Sequence, residues 1–175
     1  MCWLNLMEIK MKKIGALVAA ALLTSFSSTA IANDADNSGV YLGAKFGNAN
    51  LDVDGFDDMS GNGLFFGYQF ESGAFAELEM ASYSNDSYGF DFEIDTTAIY
   101  FGGRAGDDFY FKYKVGFLNE DVSASGWGFS EEESDSGFSY GLGVGYQIEN
   151  ALIELEYTVI EADVSAITIG AAYRF

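Results

Sequence analysis

The side chains of this sequence that could do chemistry are nearly all carboxylates. Histidine is absent and the one cysteine is Cys2. That removes His-assisted nucleophiles, His-ligated metals and any internal disulfide. Asp and Glu number 27 against 8 Lys and Arg, for a net charge of −19. A nucleic-acid surface needs a basic footprint, which such a chain cannot supply. A Ser/Glu or Asp/Asp pair could still act as acid and base, but no spacing selects one. The expectation is a protein with no catalysis and no cofactor.

One set of charges does follow a rule. Lys45, Glu71, Glu77, Glu79, Arg104, Lys112, Lys114, Glu149, Glu154, Glu156 and Arg174 all sit on the polar parity of segments whose other parity is apolar. Five are basic and six acidic, a near-balance in a strongly acidic chain. Charges withdrawn from water must be paired. The expected chemistry is therefore an enclosed ion-pair network. Gly67, Gly116, Gly141, Gly143, Gly145 and Gly170 share that parity and leave room for long side chains.

A second acidic set lies in or beside the expected long connections. It comprises Asp52, Asp54, Asp57 and Asp58; Asp86, Asp91, Glu93 and Asp95; Glu120, Asp121, Glu131, Glu132, Glu133 and Asp135; and Glu161 and Asp163. No Lys or Arg is among them. They read as a solvated face, or as weak sites for divalent cations that bridge to anionic surface glycolipid. Asp52-x-Asp54-Gly55 falls short of an EF-hand loop, which needs later ligands. No metal site is assigned.

The elements that position these residues are strands. Phe138, Tyr140, Leu142, Val144, Tyr146 and Ile148 alternate with Ser139, Gly141, Gly143, Gly145, Gln147 and Glu149. This period of two marks a strand with two unlike faces. The same alternation predicts eight strands, at 39–53, 61–71, 74–84, 91–104, 109–120, 137–149, 152–161 and 163–175. Strands of soluble domains average about 5–6 residues, whereas a tilted membrane-spanning strand needs about 9–11. Length therefore favours an all-β, eight-stranded antiparallel transmembrane up-and-down barrel, apolar parity outward. Such a barrel is just wide enough for side chains to fill its lumen. Connections at 71–73, 105–108 and 149–151 are short, and those at 52–62, 84–90 and 121–136 are longer. Short periplasmic turns and long outer loops are the pattern of membrane barrels.

Ahead of the strands stands a secretory signal. Met11-Lys12-Lys13 is basic, Ile14 to Leu23 is apolar, and Ala30-Ile31-Ala32 fits the cleavage pattern. The expected domains are a signal peptide at 1–32, with Met11 a possible true start, and a barrel at 33–175 beginning at Asn33. Without Glu8, Lys10, Lys12 and Lys13, 5 basic and 26 acidic residues remain.

The run Ile167-Thr168-Ile169-Gly170-Ala171-Ala172-Tyr173-Arg174-Phe175 resembles the C-terminal assembly signal of bacterial outer-membrane β-barrel proteins. Val40-Tyr41-Leu42-Gly43-Ala44-Lys45-Phe46-Gly47 resembles the first strand of small porin-like barrels of the OmpA/OmpX type. Gly67-Tyr68-Gln69-Phe70 and Gly145-Tyr146-Gln147-Ile148 are similar to their strand ends beside periplasmic turns. The resemblance implies the bacterial outer membrane, both termini periplasmic and the acidic loops extracellular. It implies assembly-signal roles for Ile169, Tyr173 and Phe175, and passage through periplasmic chaperones and the barrel assembly machinery. The resemblance does not imply one function; the leading expectation is a structural or surface-interaction role, of the adhesin or envelope-integrity type, in a monomer bound by outer-membrane lipid and glycolipid. The alternatives are a narrow low-conductance porin and a soluble β-barrel ligand carrier.

Overall fold

A computed structural model describes residues 38–51, 58–87, 90–126, 129–161 and 164–175. The signal segment 1–32, Cys2 and the expected new terminus Asn33 lie outside the described residues. The strands are β1 Gly39–Leu51, β2 Met59–Gln69, β3 Ala74–Ser87, β4 Phe90–Gly106, β5 Phe109–Gly126, β6 Phe129–Ile148, β7 Ala151–Glu161 and β8 Val164–Arg174. Each pairs antiparallel with its sequence neighbours, and β1 pairs with β8 to close an eight-stranded barrel. Closure leaves no open sheet edge at the levels where all eight ladders run, as a lipid environment requires.

The two parities separate as their composition dictates. Leu64, Ile99, Phe117, Leu142, Ile153 and Ile167 point outward and are exposed; Lys45, Glu77, Lys112, Lys114, Glu154 and Arg174 point inward and are buried. In β5 the outward residues are apolar from Phe109 through Phe117 and polar at Asn119 and Asp121. The lipid-facing band therefore ends near residue 118. At one rim lie the tight turns at 70–73, 107–108 and 149–150, together with the chain end at Phe175, whose amide donates to the Val40 carbonyl at 2.8 Å. This is called the near rim. Gly73 adopts φ 81° there, a conformation that glycine takes without strain.

Three expectations are corrected. The connections expected at 84–90 and 121–136 are mostly strand, since β3 runs to Ser87 and β5 and β6 run to Gly126 and from Phe129. Within them, the stretches 84–87 and 131–136 are wholly polar and offer no apolar parity to reveal a strand. The connection expected at 52–62 overlaps β2, which starts at Met59, while 52–57 lie outside the described residues. The strands expected to end at Glu71 and Glu149 stop at Gln69 and Ile148, and both glutamates are exposed turn residues. Glu149 has φ 53°, so the chain has already turned there.

Above the lipid-facing band the barrel is uneven. The β3–β4, β4–β5 and β5–β6 ladders continue to Ser87↔Phe90, Asp91↔Ser125 and Gly126↔Phe129. The β6–β7 ladder begins only at Tyr140↔Val159. A four-stranded wall thus stands above the far rim. From Asn119 to Gly126 it extends about 25 Å along β5.

Candidate functional site in the barrel lumen

The lumen is filled in layers. Nearest the near rim, Tyr41, Phe65, Phe75, Tyr110, Leu152 and Ala172 form one buried cluster. Arg104 lies among them, its guanidinium 4.6 Å from the ring centres of both Tyr41 and Phe75. Its Nε donates to Glu154 Oε1 at 2.8 Å and its Nη1 to Gln69 Oε1 at 3.0 Å. Arg104 Nη2 has no hydrogen-bond partner and lies 3.9 Å from Glu77 Oε2. The two aromatic faces account for that nitrogen, because ring quadrupoles attract a cation without accepting a directed bond.

Next comes the ion network. Lys112 Nζ lies 3.2 Å from Glu77 Oε1, 2.9 Å from Glu154 Oε2 and 3.0 Å from Glu156 Oε2. Lys114 pairs with Glu79 at 2.8 Å and with Glu156, and Lys45 pairs with Glu79. Four carboxylates (Glu77, Glu79, Glu154, Glu156) meet four cations (Lys45, Arg104, Lys112, Lys114), so the network is neutral. Tyrosines take up remaining lone pairs: Tyr41 donates to Glu77 Oε2 at 2.9 Å and Tyr110 to Glu154 Oε1 at 2.8 Å. Arg174 donates to Gln147 Oε1 at 3.3 Å, toward the near rim. Glu71 and Glu149 stay outside, in their turns.

The glycines explain how long side chains fit a narrow barrel. The Lys and Glu members come from β1, β3, β5 and β7, and strands between them clear the space. Lys45 is paired in register with Gly63 and Gly170, Glu77 with Gly67, Lys112 with Gly143, Lys114 with Gly102 and Gly141, and Glu154 with Gly145 and Gly170. A β-carbon at Gly145 would stand 2.5 Å from the Tyr110 hydroxyl, and one at Gly141 2.9 Å from Lys114 Cε.

The two halves of the chain supply matching parts. Tyr41 and Lys45 of β1 correspond to Tyr110 and Lys114 of β5. Gly67-Tyr68-Gln69 corresponds to Gly145-Tyr146-Gln147, Glu77 and Glu79 to Glu154 and Glu156, and Arg104 to Arg174. In both halves the tyrosine pairs in register with the glycine, and that glycine with the first glutamate. Sequence reasoning missed Gln69 and the buried rings of Tyr41, Phe65, Phe75 and Tyr110. Their parity with Lys45, Glu77 and Lys112 was the available signal, together with the repeated Gly-Tyr-Gln.

Beyond the network, Lys114 Nζ stands 4.0 Å from the Tyr100 ring centre, and Tyr100 and Ser139 share a 2.8 Å hydrogen bond. Then Ala49, Met59, Ala81, Tyr83, Ile94, Ala98, Leu118, Ile160, Val164 and Ala166 form an apolar layer toward the far rim. Among the described residues, no group of three acidic side chains is placed to hold a metal ion. The buried side chains of these layers line the bore, and their ion pairs join β1, β3, β4, β5 and β7 across it.

The family model described as the outer membrane protein beta-barrel domain matches residues 18–175. Among solved structures, the chain is similar to Ail, the attachment invasion locus protein of Yersinia pestis. The identity is 22% and the TM-score 0.56, over 79% of this chain and 97% of that one. Neisserial surface protein A matches at 14% identity and TM-score 0.63, over 79% and 97%. OprG of Pseudomonas aeruginosa matches at 15% and 0.56, over the same shares. At these identities the structures show a shared fold. No curated protein sequence matches the chain.

Proposed function

The chain belongs to the outer membrane protein beta-barrel domain family, and from that premise we propose that it is a non-catalytic surface-interaction or envelope protein whose working surface is the wall of β3 to β6. The family places it in the bacterial outer membrane. In this reading the near rim, with both chain ends, is periplasmic, and the wall is extracellular. A plugged lumen leaves the outside of the molecule as the place where it can act.

The observation that carries the reading is the wall's edge. In β6, residues 131–136 are exposed, and β7 pairs only from Tyr140 onward. An unpaired strand edge is a template for another extended chain. Glu131, Glu132, Glu133 and Asp135 lie along it. After residue 33 the only Lys and Arg are Lys45, Arg104, Lys112, Lys114 and Arg174, all buried in the lumen. The outer surface thus offers no cation. Ail has been solved with the heparin analogue sucrose octasulfate. A polyanion of that kind would be repelled here. The partner suited to this edge is an extended basic segment; glycolipid phosphates would need divalent cations as bridges. Passage through chaperones and the barrel assembly machinery, with Ile169, Tyr173 and Phe175 as the signal, belongs to the same proposal.

The test is a short epitope inserted between Glu132 and Glu133. Intact cells should bind the antibody, and should bind a fluorescent polylysine less after E131Q, E132Q and E133Q are combined. An epitope reachable only after the outer membrane is breached would overturn the orientation. Polylysine binding unchanged by the triple substitution would remove the edge from the function.

A further inference from the structure

We propose that a furrow on the lipid-facing side of β5, β6, β7, β8 and β1 binds one long-chain amphiphile, with its alkyl chain along the furrow and an ammonium head against Asp58. The site is separate from the β3 to β6 wall. Its origin lies in the register. Lys112, Gly143, Glu156, Thr168 and Gly47 are partners in one continuous row across the five strands. All are on the inward parity, so any side chain they carry points away from the outer surface. This row is the floor of the furrow.

Two outward rows flank it. Leu142, Tyr157, Ile167 and Asn48 are register partners toward the far rim, and Val144, Leu155, Ile169 and Phe46 toward the near rim. On β5 the same two rows continue to Tyr113 and Phe111. Partners on adjacent strands stand side by side, so each row is a ridge. The space between the ridges is about 540 Å³ over Gly143 and about 500 Å³ over Gly47, and the two stretches share Leu155, Tyr157 and Ile167. At ordinary strand spacing the furrow runs about 19 Å from β5 to β1. That suits a long alkyl chain lying at full length.

The furrow also climbs. Its floor is the fourth residue of β5 from the near rim but the ninth of β1. It therefore starts between Phe111 and Tyr113, inside the lipid-facing band, and ends at the far edge of that band. There the lining turns polar, with Asn48, Asn50, Asp58 and Ser165. An apolar trough with one polar end, opening to lipid along its length, matches an amphiphile. The polar end sets the charge of the head. Asn50 Nδ2 donates to Asp58 Oδ1 at 2.6 Å, which holds the carboxylate at the end of the furrow. A carboxylate accepts several hydrogen bonds, so Asp58 can still take those of an ammonium group. Every Lys and Arg after residue 33 is buried in the lumen, so no cation stands here to neutralise a phosphate or sulfate head. Such a head would meet the charge of Asp58 and be repelled.

The experiment uses the folded protein in phosphatidylcholine vesicles at pH 7. Three photoreactive probes share a hexadecyl chain with a diazirine at its tip and differ only in an ammonium, hydroxyl or sulfate head. Each is added in trace amount and crosslinked, and the labelled peptides are read by mass spectrometry. The ammonium probe should label β5 and β6 around Tyr113 and Val144 more than Leu64 and Ile99 on the other side of the barrel. It should exceed the hydroxyl probe there by about two- to fivefold, the gain from one exposed ion pair, and the sulfate probe should label least. D58N should remove the difference between ammonium and hydroxyl heads. V144W, which narrows the furrow from its ridge, should lower labelling around Tyr113 by every probe. Both substitutions are on the outer surface, and heat-modifiable gel mobility checks that each variant is folded. Polylysine binding to the β6 edge should be unchanged in both, which keeps this test apart from that of the wall. Labelling spread evenly around the barrel would overturn the furrow. A head preference that survives D58N would overturn the assignment of its polar end.

Discussion

Lys112 is the residue on which the lumen turns. It faces three carboxylates within 3.2 Å, and it is buried. Replacing it by Met leaves Glu77, Glu154 and Glu156 short of one cation. Breaking a buried pair from one side typically costs about 3–5 kcal/mol. Removing both partners together costs less, because the uncompensated charge goes too. K112M with E77Q should therefore show a coupling above about 1 kcal/mol by urea unfolding in vesicles. K112M with E79Q should couple more weakly, since Glu79 is held by Lys45 and Lys114 instead. Additive effects in both cycles would mean the charges are wet and independent. Gly145 tests the space around the network. Ala there brings a β-carbon against the Tyr110 ring. The overpacking should cost about 1–3 kcal/mol. The loss should shrink when Tyr110 is first made Leu.

At the scale of the strand, what matters is which face meets lipid. Leu142 is 65% exposed on β6, midway along the outward row that runs from Phe138 to Ile148. Arginine there should cost about 2–4 kcal/mol in vesicles, the midplane value for a charge facing lipid. A variant as stable as its parent would mean the face had been assigned wrongly. The last strand raises a different question. Ile169, Tyr173 and Phe175 all face outward, and Tyr173 and Phe175 stack edge to face with centres 5.2 Å apart. Deleting Phe175 removes little buried surface, so a purely structural role predicts a small effect on stability. A recognition role predicts a large loss of outer-membrane yield with periplasmic aggregates. Heat-modifiable gel bands of equal intensity for both forms would favour the structural account.

For the molecule as a whole, the two apolar clusters bracket a neutral ion network across the bore. Each layer leaves little room for water for a different reason: the clusters pack apolar side chains, and the polar atoms of the network bond to one another, Arg104 Nη2 excepted. Purified protein in planar bilayers should therefore give no steady single-channel steps. Discrete conductance from the parent protein would show that the layers open. The narrow-porin reading would then stand ahead of the surface role. The uneven height of the barrel gives the complementary expectation. Interaction should follow the β3 to β6 wall, while the low side formed by β7, β8 and β1 should tolerate substitution in its outer loops.

By itself the sequence determined the barrel, its strand number and its two faces, because a period of two over ten or more residues has no other stable use in a membrane. It also named every cation of the network. Lys45, Arg104, Lys112 and Lys114 lay on the polar parity, and a chain with so few cations cannot spare them for an exterior that faces lipid. The strand ends were less legible. Glu71 and Glu149 kept the parity yet fell past the last ladder pair, and parity carries no information about where pairing stops. The tall β3 to β6 wall was hidden for a related reason: residues 84–87 and 131–136 are polar at every position, so alternation leaves no trace there. Only the tertiary structure decided which glutamate meets which lysine. Glu79 and Glu77 are two residues apart on one face, but strand tilt and register bring one to Lys45 and Lys114 and the other to Lys112.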